Sequence, residues 1–157
     1  MVTLAVGCGG GASPDGLSVE GSVSVTVHQP GQADGSTGFP FSGVVSVDTP
    51  PATGHGFTGT CVQSGGAYTF TLGREVTAAS GLESLTVHTG TGTTAPTVSL
   101  TVGTSTFSAG GTCTGTATPA GAAGVQFAIQ CTGLTATNDP RTVDANINLS
   151  VLGCTGS

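Results

Sequence analysis

Residues 113–131 read CTGTATPAGAAGVQFAIQC. A Pro/Gly/Ala turn sits in the middle and a cysteine stands at each end. Val125, Phe127 and Ile129 alternate with Gln126, Ala128 and Gln130, the period-two pattern of a half-buried strand. A hairpin centred on Ala122 puts Cys113 directly opposite Cys131, on the face that carries Phe127 and Ile129. Opposed residues of an antiparallel pair have Cα atoms about 4.5–5.5 Å apart, within the span that a disulfide bridges. The stretch predicts two paired strands, their register and a covalent bond between them.

The same alternation recurs along the chain. Val19, Val23, Val25 and Val27 share one face of LSVEGSVSVTV, and Phe41, Val45 and Val47 one face of FSGVVSV. Tyr68, Phe70 and Leu72 alternate with threonines, as do Val98, Leu100 and Val102 with Ser99 and Thr101. LESLTVH follows with Leu85 and Val87, and residues 143–151 alternate from Val143 to Val151. With segments near Phe57 and Cys113, this makes about eight or nine short strands. Turn-forming text separates them: HQPGQADGSTG, DTPPATGHG, QSGGA, TGTGTTAP, TPAGAAG and TNDPR. Helix signals are confined to a turn around Glu75–Ala79 and another at Asp139-Pro140, where a plain turn is the simpler reading. The fold class is all-β: an antiparallel β-sandwich or flattened barrel.

Charge restricts the partners. Two basic residues, Arg74 and Arg141, stand against eight acidic ones, giving a net charge of -6. No Lys/Arg patch for a phosphate backbone can be assembled, so nucleic acid is excluded as a partner. Anionic lipid headgroups are disfavoured for the same reason. Attachment to a membrane would have to come from a covalent lipid.

Five cysteines leave one unpaired: Cys8, Cys61, Cys113, Cys131 and Cys154. With Cys113 and Cys131 matched, Cys61 and Cys154 remain, and a bridge between them would pin the end of the chain to an early strand. Reduced, buried thiols are the alternative. A metal site has no CxxC spacing to support it, and His28, His55 and His88 lie far apart in sequence. Two disulfides would place the chain in an oxidising compartment.

Cys8 follows Leu4, Ala5, Val6 and Gly7 and precedes GGGASPDG. An apolar run, a small residue, a cysteine and a flexible tether make the pattern of a bacterial lipoprotein processing site, with Cys8 as the lipidated residue. Seven residues without Lys or Arg are too few for a secretory signal, so a start upstream of Met1 is expected. The expected organisation is a signal-peptide remnant over 1–7, a lipidated cysteine and tether over 8–16, and one β-domain over 17–154.

GFTGTC (56–61), YTF (68–70), SLTVGTSTFSA (99–109) and INLSVLGC (147–154) together resemble the mycobacterial nineteen-kilodalton lipoprotein antigen family. The resemblance covers residues 56–154. In that family cysteines are similar in place to Cys61 and Cys154, which implies their pairing here. Cys113, Cys131 and the 17–47 segment are additional to the family pattern. The resemblance implies a surface-anchored, non-catalytic envelope protein sensed by immune receptors through its lipid, and it carries over no catalytic residue.

No catalytic, metal-binding or cofactor-binding residue is expected. There is no GxSxG elbow and no Gly-rich strand-to-helix phosphate loop. Asp139, Arg141 and Asp144 form the densest charged cluster and read as a turn with a local ion pair. His28 and His88 each close a strand and read as polar surface. The expected function is a cell-envelope lipoprotein, anchored through Cys8 and facing the periplasm or exterior, with a structural, interaction or lipid-binding domain. Its partners would be the membrane and a protein or apolar ligand, the latter held between the sheets. The alternative is a secreted β-sandwich adhesion or recognition module without a lipid.

Overall fold

The structure, a computed structural model, describes residues 16–45, 57–74, 81–90, 94–121 and 123–156. Eleven strands and no helix lie among the described residues. One sheet contains β1 (Leu17–His28), β2 (Gly35–Val45), β8 (Thr112–Pro119), β9 (Gly124–Ala136) and β10 (Asp139–Leu152), in the order β2-β1-β10-β9-β8. The other contains β3 (Phe57–Ser64), β4 (Ala67–Arg74), β5 (Leu82–Thr89), β6 (Thr97–Val102), β7 (Ser105–Phe107) and β11 (Thr155–Gly156), in the order β11-β3-β4-β5-β6-β7. All pairings are antiparallel except that of β11 with β3.

Alternation in sequence becomes two faces in space. Val143, Ala145, Ile147, Leu149 and Val151 of β10 are buried, whereas Asn146, Asn148 and Leu152 between and beyond them are exposed. Val19, Val23 and Val25 of β1 lie opposite Val151, Ile147 and Ala145. The second sheet contributes Phe70, Leu72, Leu85, Val87, Leu100 and Phe107. Phe127 joins the layers: its ring stacks on Phe70 at 5.6 Å and meets the edge of Tyr68 at 6.4 Å. Fully burying such a ring stabilises by roughly 1.5–3 kcal/mol. The result is a two-sheet sandwich.

Both disulfides are formed. Cys113 and Cys131 face each other across the β8–β9 ladder, with sulfurs 2.02 Å apart. Every described pair of that hairpin obeys the register centred on residue 122, from Thr112 opposite Thr132 to Pro119 opposite Val125. Cys61 bonds Cys154, at a sequence separation of 93. Cys61 lies in β3, and Cys154 lies between β10 and β11, so this bond ties the two sheets together.

Each segment read as a strand from the sequence is present, and β7 and β11 are added to them. With three and two residues, these are too short to display an alternation. β2 begins at Gly35, earlier than its apolar text, because Gly, Ser and Pro residues conceal its first half. The turn before it shrinks to residues 29–34. Asp139 and Pro140 open β10 instead of forming the expected turn or a helical piece; the chain reverses just before them, with Asn138 at φ 64°. The Glu75–Ala79 turn and Val47 lie outside the described residues, and the last strand ends two residues past Cys154.

Candidate functional site

One end of the sandwich gathers the ion pairs His28–Asp34, His28–Asp144 and Arg141–Asp139. The β1–β2 loop, the start of β10 and the β6–β7 turn meet there. Between the sheets opens a cleft of about 320 Å³, lined by Val25, Val27, Thr37 and Phe39 from one sheet. Gly81, Val102, Gly103 and Thr104 line it from the other, with Arg141 of β10. Val27, Phe39 and Val102 are half-buried, packed against the core with part of their surface open. A cleft that sets four apolar side chains beside two hydroxyls and one cation can take a small ligand with both apolar and polar parts.

Arg141 is held on three sides. Its Nε donates to Asp139 Oδ1 at 2.9 Å, its Nη2 bonds the same carboxylate, and Nη2 also donates to Ser105 Oγ at 3.2 Å. Its guanidinium lies 5.8 Å from the centre of the Phe107 ring. Ser105 Oγ donates to Asp139 in turn. The cluster therefore bridges β10 of one sheet to β7 of the other. The Arg141 guanidinium, aided by the Ser105 hydroxyl, holds the Asp139 carboxyl far below the usual carboxylate range.

Asp144 stands apart from that pair, contrary to the sequence expectation of one three-residue cluster. Strand alternation explains the split: Arg141 turns toward the cleft, while Asp144 lies on the outer side of β10 between buried Val143 and Ala145. The β9–β10 register slips by one residue between Val143 and Ala145. This bulge puts Gly133 in the left-handed region at φ 67°. Gly133 N–H then donates to Asp144 Oδ1 at 2.8 Å, which lowers the Asp144 pKa.

Asp144 Oδ2 receives His28 Nε2 at 3.0 Å, and His28 Nδ1 lies 2.9 Å from Asp34 Oδ2. His28 closes β1 as expected, but it is clamped between two carboxylates and is more than a polar surface residue. These hydrogen bonds, that to Asp144 first, raise its pKa above 6.5. No spacing in the sequence signals this contact, which spans 116 residues. Only the β1–β10 register, which sets His28 opposite Thr142 and Thr26 opposite Asp144, reveals it.

The remaining sequence candidates fall elsewhere. Cys8 and His55 lie outside the described residues. His88 sits exposed on the outer face of the second sheet, where Nδ1 is 2.9 Å from Thr69 Oγ1. Among the described residues no group of His, Cys, Asp or Glu side chains is placed to hold a metal ion. No described helix is long and apolar enough to cross a membrane.

No family model, curated protein or solved structure matches this chain. The disulfides, the cleft and the two carboxylate clusters are therefore interpreted on their own chemistry.

Proposed function

We propose that the chain is an exported cell-envelope lipoprotein, anchored by a lipid on Cys8, whose stapled sandwich works as a non-catalytic interaction or lipid-binding module. The observation that carries this reading is the pair of closed disulfides, which leaves Cys8 as the one unmatched cysteine. Thiols stay oxidised in exported compartments and are reduced in the cytosol of most cells. The residues around Cys8 support a lipid there: small and apolar before it, glycine-rich after it. Such a tether would hold the domain clear of the bilayer. The inter-sheet cleft supports the binding role, since its mixed walls, Val25, Val27, Phe39 and Val102 beside Thr37, Thr104 and Arg141, suit a small amphipathic ligand.

The test is intact-mass analysis of the protein extracted from the membranes of its own cells. The expected result is an acyl-modified N-terminal Cys8 and the mass deficit of two disulfides. A soluble extracellular protein with an unmodified Cys8 would support the second reading, a secreted adhesion or recognition module, and would overturn the lipid anchor.

A further inference from the structure

We propose that His28 is a pH-operated latch that fastens the β1–β2 loop to β10 beside the mouth of the cleft. Its two ring nitrogens reach two carboxylates carried by different parts of the chain. Asp34 ends the loop, and Asp144 belongs to β10. An ionised carboxylate only accepts hydrogen bonds, and a neutral imidazole has a single N–H. Both contacts can be hydrogen bonds only when the ring carries two protons. Loss of one proton turns a ring lone pair toward a carboxylate oxygen and breaks one side of the clamp.

The two sides are unequal. Asp144 is fixed from behind by the Gly133 N–H, within the β9–β10 ladder. Asp34 has a side chain 57% exposed and sits in the loop. The Asp34 side is the one that releases. Val27 and Thr37 stand before and after the loop and line the cleft, and the β1–β2 ladder holds both. The described charged groups facing His28 are Asp34 from the loop and Asp144 from β10. From its neighbours, β2 brings the neutral Ser36 against Thr26, and β9 brings the Gly133 amide against Asp144. The Asp139–Arg141 pair lies on the inner side, against Phe107.

The sign follows from the proton count. The clamp favours the protonated ring, so its pKa stands above 6.5. The latch is closed below that value and opens as pH rises through the raised pKa.

The test is a titration of the full-length protein by NMR, reading the His28 ring and the amides of residues 29–34 from about pH 5 to about pH 9. The His28 resonance is assigned by its loss in His28→Gln. The expected result is a His28 midpoint above 6.5, with loop amides shifting at that same midpoint. In Asp34→Asn the loop amides no longer follow the ring, and in His28→Gln they stop titrating at that midpoint. Because both variants alter surface side chains, the β9–β10 amides report whether the sheet is intact. A His28 midpoint at or below 6.5, or loop amides that ignore the ring, would overturn the latch.

Discussion

Cys113 and Cys131 stand directly opposite each other in the β8–β9 ladder, with Cα atoms 4.0 Å apart and a bond between their sulfurs. The bond closes a hairpin whose register was already set by its apolar face. Cys61 and Cys154 do different work. They join β3 to the segment that leaves β10, so one sheet is tied to the other.

The two bonds should contribute unequally. In the chain-entropy view, a bridge across 18 residues stabilises by about 3 kcal/mol, and one across 93 residues by about 4–5 kcal/mol. Denaturant unfolding of Cys113→Ala/Cys131→Ala and Cys61→Ala/Cys154→Ala should show the second pair losing more stability. Equal losses, or a larger loss from the hairpin pair, would contradict this.

Backbone approach sets a second difference. Gly21 lies in β1 at φ 120°, and a Cβ there would fall 2.1 Å from the carbonyl oxygen of Asn148. Gly31 in the β1–β2 loop has φ 77°, and a Cβ there would meet nothing within 4 Å. Gly31→Ala should cost about 1 kcal/mol from backbone strain alone. Gly21→Ala should cost more than about 3 kcal/mol, because the clash is added to the strain. Thermal unfolding of the two variants separates them.

The Asp139–Arg141 pair should govern acid behaviour at the cleft. Asp139 has a depressed pKa, so its contribution is present above its unfolded value and lost as pH falls through the folded one. Wild-type stability should therefore decline only in strong acid through this group. Asp139→Asn should be less stable at neutral pH and should lose that part of the acid dependence. Urea unfolding at a series of pH values measures both.

Both basic residues are engaged in strands. Arg74 ends β4 with its guanidinium 5.1 Å from the centre of the Phe57 ring, and Arg141 is ion-paired in β10. The Arg141–Thr142 bond lies inside β10, so the oxidised protein should resist trypsin at Arg141 for hours and be cut there only after reduction and unfolding. Rapid cleavage of the oxidised protein at Arg141 would contradict the fold around that residue.

What was legible in the sequence was whatever local alternation encodes. Val143 to Val151 and Val125 to Ile129 declared their faces, and the spacing of Cys113 and Cys131 about Ala122 fixed a register. β7 and β11 were hidden because three and two residues carry no period. The His28–Asp144 contact was hidden because it depends on β1 pairing with β10, across 116 residues. Its bulge was hidden too, since Gly133 looks like any other glycine until its amide meets a carboxylate. Nearness in sequence groups Arg141 with Asp144, but alternation sends them to opposite sides of one strand.

The most direct measurement is rapid alkylation of the protein in its own cells, followed by thiol mapping before and after reduction. The account expects Cys61, Cys113, Cys131 and Cys154 to be protected until reduction, in peptides linked 61 to 154 and 113 to 131. Four cysteines alkylated without reduction, or linked in any other pairing, would contradict it.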